Sequence, residues 1–422
     1  MACDCRFLAL ALISITFMFF IFSNSSRAHV DFMPSFYKVV HVNESIQEAI
    51  NNATDGDTIV ISSGVHVENY YPIVVNKSLN IIGEDLNTTI IDGNKTERGI
   101  FLVRSSNVTI GNLTIQNTTE PEAVSGIHLY NVQLVEIFDS VIKECGSGIQ
   151  LTNSTNCAIV RNNVTSNHST GVYLHSKSSY NVIVGNFIAN NPTGLRIPDP
   201  ESSNNKIFHN SFVNNTTQQS SIGSYTSWDN NYPSGGNYWS DHSQTDLCHG
   251  SDQNIMGSDG LVDENYKNID RYPLVKPPKF LCVYSSMNQD HYSMIITNSS
   301  ILSFYFNPDA GSFINFTIQT IEGTAGFCRI SIPKSLLWIE NGESWYVVIN
   351  ETVADPLIME DASYTYFYFT YEFNTQIVKI QGTHVVPEFT LLDFLLVIAA
   401  ISCGFSLKKY RMKKSESLLL KG

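Results

Sequence analysis

The stretch GVYLHSKSSYNVIVGNFIANN, residues 171–191, decides the fold because looser copies of it lie on both sides. GIQLTNSTNCAIVRNNVTSN precedes it at residues 148–167, and GLRIPDPESSNNKIFHNSFVNN follows it at residues 194–215. The anchor glycines of the repeat recur roughly every 23 residues once an insertion in the first interval is set aside. They are Gly99, Gly126, Gly148, Gly171 and Gly194. A fixed period indicates that each copy is one structural unit that stacks on the next.

Each anchor glycine starts a short alternation of apolar and variable residues, in the order GIFL, GIHL, GIQL, GVYL and GLRI. Alternation is typical of a β-strand with one buried face. The residues that this alternation places on the inner face are Ile100 and Leu102, Ile127 and Leu129, Ile149 and Leu151, Val172 and Leu174, and Leu195 and Ile197. The period is too short for a propeller blade, and the segments lack helical spacing. It fits one coil of a parallel β-helix whose coils stack about 4.8 Å apart.

An Asn or Asp recurs at a position where we predict a bend of the coil. The residues are Asn112, Asp139, Asn162, Asn186 and Asn210. Asn tolerates the left-handed backbone conformation, and its side-chain amide can form hydrogen bonds from coil to coil. We therefore predict an Asn ladder at this bend, with Ile and Leu filling the interior and the outward positions free to vary.

The segment SIQEAI, which precedes the repeats, predicts a short amphipathic helix. Ser45 and Glu48 have the spacing of a capping box. One helical face carries Ile46, Ala49, Ile50 and Ala53. Such a helix could close the open end of the β-helix, before the first strands TIVIS, PIVV, LNIIG and TTIIDG.

Two longer motifs carry a family resemblance. SIQEAINNATDGDTIVISSGVHVEN with KSLNIIG resembles the opening of pectin-esterase-like and pectate-lyase-like right-handed β-helices, and the repeats look like PbH1 repeats. WDNNYPSGGNYWSDH, followed by GSDGLVDENYKNIDRYPL, is similar to the end of the β-helix domain in the NosD family and its archaeal surface relatives. The resemblance covers roughly residues 36–275. It implies an all-β, pectate-lyase-like right-handed parallel β-helix of the carbohydrate-binding and sugar-hydrolase type.

After residue 279 the pattern changes to aromatic-rich strands separated by turns, such as ILSFYF, FINFTIQT, FCRISIP and YTYFYFTYEF. These strands predict a β-sandwich over residues 280–384. GTAGFCRISIPKSLLW together with VVPEF is similar to the membrane-proximal domain and PEF-type tail of archaeal cell-surface proteins. The preceding part divides into a β-helix over residues 36–227 and an acidic Gly/Asp-rich cap over residues 228–275.

The two ends of the chain predict export and anchoring. Residues 7–22 are apolar and precede SNSSRA, which is typical of a secretory signal peptide over residues 1–28. FTLLDFLLVIAAISCGFSL is long enough to span a bilayer, apart from Asp393, and KKYRMKK follows it. Residues 387–422 therefore predict a PEF-type tail with one transmembrane helix and a basic cytoplasmic end, unless a sorting enzyme removes it. The protein would then lie on the extracellular side of the cell surface with a single membrane anchor.

Composition excludes one class of partner and supports the predicted location. The formal net charge of −14, with only 15% charged residues, argues against nucleic acid as a partner. Asn-x-Ser/Thr sequons occur on the order of fifteen times. They predict an N-glycosylated protein, or simply reflect Asn- and Thr-rich turns, at positions that include Asn43, Asn87, Asn107, Asn153, Asn214, Asn315 and Asn350.

Cysteines in the exported part allow at most two disulfides, since their number is odd. They are Cys145, Cys157, Cys248, Cys282 and Cys328. Cys282 and Cys328 could tie the sandwich together, and Cys248 could form a disulfide in the cap.

The outward positions of the repeat form two candidate ladders for a ligand. The first is Phe101, His128, Gln150, Tyr173 and Arg196, and the second is Val103, Tyr130, Thr152, His175 and Pro198. Aromatic faces with hydrogen-bonding neighbours near 5 Å apart could stack on sugar rings and bind their hydroxyls. Without a ligand, the same residues would decorate an exposed sheet. The ligand-binding residues that we predict are Phe101, His128, Tyr130, Gln150, Tyr173, His175 and Arg196.

Catalysis requires acids or bases that converge on the substrate. A hydrolase needs carboxylates roughly 5 to 9.5 Å apart across one glycosidic bond, and a lyase needs a base with a cation that neutralises the uronate. The acids of the coils are scattered, and the cluster of interest is Arg196 with Asp199 and Glu201, which a solvated loop would also explain.

The acidic cap offers a candidate calcium site, because SDGLVDE has the Asp-Gly-x-x-Asp spacing of calcium loops. Its residues are Asp252, Asp259, Asp263, Glu264 and Asp270. A cap without metal is the alternative, and the sequence predicts no required cofactor. The NosD resemblance also implies a copper-related role, for which His242, Cys248 and His249 are the neighbouring candidates, although no Met-rich or His-rich tract accompanies them.

We interpret the chain as a membrane-anchored surface protein that binds or presents glycans. Two alternatives remain open at this point. One is an enzyme, a lyase or hydrolase, that acts on acidic polysaccharide. The other is a structural or adhesive component of the surface layer.

Overall fold

The computed structural model describes residues 37–222, 225–286, 289–308, 312–321, 323–372 and 374–385. In these residues three parallel sheets wind into a β-helix, and two antiparallel sheets follow. The only α-helix of the described chain, α1 (Ile46–Asn52), lies near its start.

The β-helix consists of three sheets, each of which takes one strand from every complete coil. Sheet 1 contains β1 (Tyr37–Val40), β2 (Thr58–Ile61), β5 (Asn80–Gly83), β8 (Thr109–Gly111), β11 (Glu136–Phe138), β14 (Ala158–Val160), β17 (Val182–Val184) and β20 (Lys206–Phe208). Sheet 2 contains β4 (Ile73–Val75), β7 (Phe101–Val103), β10 (Ser125–Tyr130), β13 (Ser147–Thr152), β16 (Thr170–His175), β19 (Thr193–Ile197) and β22 (Thr217–Ser221). Sheet 3 contains β3 (Gly64–His66), β6 (Thr89–Thr96), β9 (Thr114–Thr118), β12 (Val141–Lys143), β15 (Asn163–Thr165), β18 (Phe187–Ala189), β21 (Ser211–Val213) and β23 (Tyr238–Trp239).

The interior of the coils is a column of stacked aliphatic side chains, as the repeat predicted. Residues in register from coil to coil share one environment, so Ile127, Ile149, Val172 and Leu195 follow one another with no solvent exposure. A single coil could not bury these side chains by itself. Stacking therefore supplies the hydrophobic stabilisation of this domain.

The Asn ladder is present, but its membership differs from the prediction by one position. Asn112 and Asp139 have positive φ, and the same place in later coils belongs to Arg161, Gly185 and His209. The residue after this bend points inward and forms the ladder Asn162, Asn186, Asn210 and Asn237. The error arises because the bend residue and the ladder residue are neighbours, and Asn occurs at both positions.

Each ladder amide satisfies backbone groups of the coil. Asn186 Oδ1 accepts hydrogen bonds from the backbone N–H of Asn162 at 2.9 Å and from its side-chain amide at 3.1 Å. Asn186 Nδ2 donates to Ile159 O at 2.8 Å and to Asn210 Oδ1 at 2.9 Å. A second ladder, through Asn167, Asn191 and Asn215, repeats the pattern at another corner.

Both ends of the column are closed. At the first end, α1 buries Ile46, Ala49 and Ile50, as predicted. Ser45 Oγ accepts a hydrogen bond from the backbone N–H of Glu48 at 3.1 Å, and the carboxylate of Glu68 accepts one from Ile46 N. The helix thus covers apolar side chains that would otherwise face water.

At the other end the aliphatic column continues as a stack of aromatic rings. Phe212 stacks on Trp239 with ring centroids 4.4 Å apart, and Trp239 stacks on Tyr266 at 4.0 Å. The buried carboxylate of Asp270 accepts hydrogen bonds from Trp239 Nε1 at 2.8 Å and from Asn237 N at 2.7 Å. The cap therefore closes the interior and also terminates the first Asn ladder. It carries the short ribbon of β24 (Cys248–His249) and β25 (Ile255–Met256).

The second domain has two five-stranded antiparallel sheets that share one hydrophobic core, in agreement with the predicted sandwich. Sheet 4 contains β26 (Lys279–Ser286), β27 (Gln289–Thr297), β30 (Gly326–Pro333), β34 (Leu357–Glu360) and β35 (Tyr364–Tyr371). Sheet 5 contains β28 (Ser300–Asn307), β29 (Phe313–Gln319), β32 (Tyr346–Ile349), β33 (Thr352–Val353) and β36 (Thr375–Gln381). A small ribbon joins β31 (Leu337–Trp338) to β37 (His384–Val385).

The predicted disulfides are absent from the described chain. Cys282 lies on β26 and Cys328 lies on β30, and β27 separates the two strands. Strands two places apart in a sheet are about 9.6 Å apart, which is too far for a disulfide. Cys248 forms no disulfide either, so both suggested disulfides were wrong.

The predicted signal peptide and the PEF-type tail lie outside the described residues. Within the described ranges, no helix has the length and apolar character that a membrane span requires.

Candidate functional site

The outer surface of sheet 2 brings six of the seven predicted ligand-binding residues together. His128, Gln150, Tyr173 and Arg196 are in register on successive strands. Tyr130, Thr152 and His175 form the adjacent row. We call this surface the His–Tyr face, and define it as His128, Tyr130, Gln150, Thr152, Tyr173, His175 and Arg196.

Phe101 is the exception, and its prediction was wrong. It is in register with Ile127 and only 1% exposed, so it belongs to the core. Val103 is buried for the same reason, whereas Leu102 takes the outward position next to His128. The pairing of Phe101 with Ile127 puts Gly99 one residue out of register with the later anchor glycines, and a shift of one residue exchanges the two faces of a strand.

Two imidazoles on the face are linked through one hydroxyl group. Thr152 Oγ1 lies 2.8 Å from His128 Nε2 and 3.0 Å from His175 Nε2. The amide nitrogen of Gln150 lies 2.9 Å from the same His175 nitrogen, and an amide nitrogen can only donate. His175 Nε2 is therefore an acceptor, which leaves its proton on Nδ1, 2.9 Å from Ser176 Oγ. Thr152 then donates to His175 and accepts from His128.

Burial favours the neutral form of both histidines. It lowers the pKa of His128 to about 4, and the charges of His175 and Arg104 add to this effect. The pKa of His175 is also lowered, mainly by burial, although Asp199 opposes the shift. The face thus presents neutral donors and acceptors at neutral pH, which suits hydroxyl-rich ligands.

A second part of the face is a stack of planar groups. The rings of Tyr173 and His175 stack with centroids 4.5 Å apart, and the guanidinium of Arg196 lies 5.4 Å from the Tyr173 centroid. Glu122 fixes Arg196 through a contact of 2.7 Å between Oε1 and Nη1. Burial raises the pKa of Tyr173, so its hydroxyl stays protonated and can donate a hydrogen bond. These contacts hold the aromatic surface in one orientation.

The three catalytic candidates do not form a cluster. Arg196 pairs with Glu122 and not with Asp199 or Glu201. Asp199 accepts hydrogen bonds from the backbone N–H groups of Ser176 and Ser202, which makes it a turn-forming residue. Glu201 is exposed and lies 3.7 Å from Lys177. Asp199 and Glu201 therefore belong to a turn and to the surface, in agreement with the solvated loop that was the other explanation.

The five acidic residues of the predicted calcium site also serve separate purposes. Asp263 accepts from the backbone N–H of Leu247 and Cys248, and Asp270 anchors the cap. Asp259 accepts from Leu261 N at 3.0 Å, while Asp252 and Glu264 are exposed. In the described part of the chain, no group of three or more His, Cys, Asp or Glu side chains could hold a metal ion. Backbone N–H groups thus bind oxygens of Asp259, Asp263 and Asp270, three of the five residues predicted for calcium.

Residues 50–244 match the family model described as periplasmic copper-binding protein (NosD). The chain carries a NosD-like right-handed parallel β-helix. The match includes every residue of the His–Tyr face, and no curated protein matches the sequence.

Solved structures similar to the NosD-like β-helix protein share little sequence with it. The catalytic domain of a GH87 alpha-1,3-glucanase in complex with tetrasaccharides has 16% identity and a TM-score of 0.37, covering 47% of this chain and 38% of that chain. Pectate lyase Pel9A has 13% identity and a TM-score of 0.38, covering 48% and 57%. A tailspike protein of Acinetobacter baumannii bacteriophage Fri1, a capsular polysaccharide depolymerase, has 11% identity and a TM-score of 0.25, covering 87% and 74%. This chain therefore spans well under half the length of the glucanase chain.

The residues suggested for copper do not fit such a site. His242 Nε2 lies 2.9 Å from the backbone carbonyl of Glu264, which occupies that nitrogen. Cys248 and His249 are adjacent on β24, where neighbouring side chains point to opposite faces. These three residues therefore provide no set of ligands through which a copper step could be derived.

A further cavity, which the sequence reasoning missed, lies between the NosD-like β-helix and sheet 4 of the second domain. It measures about 420 Å³ and is lined on the β-helix side by Val160, Val182, Val184 and Phe208. Two strands of the sequence did indicate this cavity. AIV and VIV are apolar on both faces, whereas the corresponding strands of neighbouring repeats alternate. Strands that are apolar on both faces indicate a sheet covered on both sides.

Proposed function

We propose that this protein binds glycans through the His–Tyr face of its NosD-like β-helix. The observation that carries the proposal is the ordered set of planar and polar groups across adjacent coils. Tyr173, stacked on His175 and fixed by Arg196, offers an aromatic surface. His128, Thr152 and His175 supply neutral donors and acceptors beside it. Pyranose rings are bound by this combination of stacking and hydrogen bonding to hydroxyls.

The repeat also suits a linear polymer. Adjacent strands of a sheet lie about 4.8 Å apart, so equivalent side chains recur at nearly the length of one sugar unit. A polysaccharide lying along the axis of the β-helix would then meet similar groups in each coil. We propose a polysaccharide or surface glycan, and not a small free sugar, as the partner at this face.

The proposed location is the outer cell surface, with a single C-terminal membrane anchor. Its support is the apolar segments predicted at residues 1–28 and 387–422 and the many sequons. Presentation outside the cell would place the His–Tyr face where glycans occur. The membrane anchor would restrict the partners of the protein to glycans at or near the cell envelope.

Affinity electrophoresis tests the proposal. The full-length protein in a mild non-ionic detergent is run through native gels cast with pectin, alginate or a neutral glucan. We expect retardation in at least one gel and its loss in Tyr173→Ala, because this change removes the stacking surface. Tyr70→Ala is the matched control, since Tyr70 is 86% exposed and lies outside the face.

Each other outcome contradicts the proposal. A cleared track after staining would show cleavage and favour the enzyme alternative. Migration unaffected by every polysaccharide would favour a structural surface component. Retardation that Tyr173→Ala and Tyr70→Ala leave equally strong would place binding elsewhere on the molecule.

A further inference from the structure

The outer face of sheet 5 is the free side of the second domain, and it carries exposed apolar side chains. Sheet 4 is the side that contacts the β-helix and its cap, since Arg329 of β30 donates to carbonyl oxygens of the cap. On sheet 5, Tyr305 is 58% exposed, Ile377 is 54% exposed and Tyr346 is 48% exposed. Apolar groups gathered on one sheet face indicate that another group covers them.

A glycosylation sequon lies in the middle of this face. Asn315 and Thr317 belong to the sequon Asn-Phe-Thr on β29, which pairs with β28 on one side and β36 on the other. Ile314, Phe316 and Ile318 of the same strand are fully buried, so Asn315 and Thr317 point outward. Among the described residues, none forms a hydrogen bond with the Asn315 side chain. Its amide is therefore available for modification.

Many other sequons lie where Asn has a role in the backbone. They adopt the left-handed conformation, which Asn tolerates, with positive φ at Asn43, Asn107, Asn153, Asn214 and Asn350. Strand β29 gives Asn315 no such role, and Asn is depleted in β-strands. The position of Asn315 thus needs another explanation.

The surroundings of Asn315 supply an aromatic platform. Tyr305 lies directly opposite Asn315 on β28, and Phe313 lies two residues before it on the same face of β29. Side chains directly opposite each other have Cβ atoms about 4.5–5.5 Å apart. The rings of Tyr305 and Phe313 meet edge to face with centroids 6.5 Å apart, and Lys379 Nζ lies 4.3 Å from the Phe313 centroid. These contacts hold the Tyr305 ring beside the amide.

We propose that Asn315 is N-glycosylated and that the first sugar of its glycan packs on the ring of Tyr305. The apolar C–H face of a pyranose matches the face of an aromatic ring. The glycan thereby covers the outer face of sheet 5. This inference rests on the proposed location outside the cell, because N-glycans are attached to exported chains. The site is separate from the His–Tyr face, which lies on the β-helix.

The sugar donor for this reaction is a lipid-linked glycosyl phosphate. Asn315 Nδ2 forms a bond to C1 of the sugar as the bond between C1 and the phosphate oxygen breaks. The phosphate leaves with the bonding electron pair, and the amide loses one proton. Because β29 is paired on both edges, we expect the transfer to precede the formation of sheet 5.

Glycopeptide mass spectrometry tests the modification itself. The full-length protein is produced in a host that attaches N-glycans, and its peptides are analysed for a sugar at each sequon. We expect a glycan at Asn315, and also at Asn87, which is exposed in the turn between β5 and β6. The Asn315 glycan should disappear in Asn315→Gln, whereas Asn87→Gln should leave it in place.

Hydrogen exchange tests the packing of the sugar. The same chain is also produced in a host without N-glycosylation, so the two forms differ only in their glycans. We expect exchange in β28 and β29 to be about fivefold slower in the glycosylated form. Tyr305→Ala should remove most of this difference. Tyr346→Ala is the matched control, because Tyr346 is an exposed tyrosine on β32 of the same sheet, and it should leave the difference unchanged.

The possible failures are distinguishable. An unmodified Asn315 in a chain with a glycan at Asn87 would overturn this site and leave the proposed location intact. Absence of a glycan from both sequons would overturn the site and also remove the support that the sequons give to the location. A glycan at Asn315 whose effect on exchange is the same in Tyr305→Ala and in Tyr346→Ala would overturn the packing on Tyr305.

Discussion

At the scale of single residues, Thr152 organises the His–Tyr face. One hydroxyl group has one proton to donate, and here it accepts from His128 and donates to His175. This arrangement requires a neutral His175, because its Nε2 accepts a hydrogen bond, whereas His128 donates from Nε2. Protonation of His175 Nε2 would place three donors together and break the network.

The depressed pKa of His128 predicts a pH-dependent stability. Its pKa falls from an ordinary value of about 6.5 to about 4 on folding, so the unfolded chain binds more protons between these values. The contribution is therefore fully present above pH 6.5 and is lost as the pH falls toward 4. It amounts to at most about 3 kcal/mol.

Thermal unfolding between pH 4 and 7 checks this prediction. Replacement of His128 by Gln removes the titrating group, so the variant should lose less stability on acidification than the wild type. His168→Gln, at an exposed position, is the control and should follow the wild-type curve. Parallel curves for His128→Gln and the wild type would contradict a neutral, buried His128.

At the scale of elements, the Asn ladders supply hydrogen bonds at the bends of the coils, where no neighbouring strand can supply them. Bends leave inward backbone groups without neighbouring strand partners, and buried polar groups need partners. The side chain of Asn186 alone forms hydrogen bonds with Asn162, Ile159 and Asn210, while Asn186 is only 1% exposed. The repeat therefore keeps Asn because of an internal function in the coil.

Substitution of Asn186 by Ala should destabilise the β-helix by about 3 kcal/mol, because it leaves several buried groups unsatisfied. Chemical denaturation of the variant measures this loss. Asn52→Ala, at the exposed end of α1, should change the free energy of unfolding by less than about 0.5 kcal/mol. Equal small effects at both positions would contradict a structural role for the ladder.

The sequence predicted the coils and the capping helix well, because a single clear pattern indicates each of them. The period and the alternation give the coils, and the apolar face of SIQEAI gives the capping helix. Phe101 was misplaced because Gly99 lies one residue out of register with the later anchor glycines, and the repeat alone does not reveal this shift. For the cap, composition left a calcium site and a cap without metal both open, because it does not show that backbone N–H groups bind the oxygens of Asp259, Asp263 and Asp270.

At the scale of the whole molecule, Arg329 connects the two domains. It lies on β30, is buried, and donates to the carbonyl oxygens of Pro233 and Asp259 in the cap. Its guanidinium carbon lies 5.1 Å from the ring centroid of Tyr366. Gly260 permits this approach, since a Cβ there would lie 2.8 Å from Arg329 Cδ. Sequence periodicity cannot predict such a contact, because its residues are far apart in the chain.

Replacing Arg329 by Ala should loosen the second domain from the cap and cost about 3 kcal/mol, since two buried carbonyls lose their donors. Hydrogen exchange followed by mass spectrometry should show faster exchange around Pro233 to Gly236 and Gly260. Arg98→Ala removes an exposed arginine and should leave these rates unchanged. Unchanged protection in Arg329→Ala would show that the domains are held together by other contacts.

The most direct measurement is a crystal structure of the protein with an oligosaccharide from a polysaccharide that retards it. We predict sugar rings along the axis of the β-helix, with one ring stacked on Tyr173 and its hydroxyls bonded to His128 or Gln150. The same crystal would also test the arrangement of the coils and of the two domains, because both domains and all coils are present. An oligosaccharide bound away from sheet 2, with the His–Tyr face left empty, would contradict the central claim.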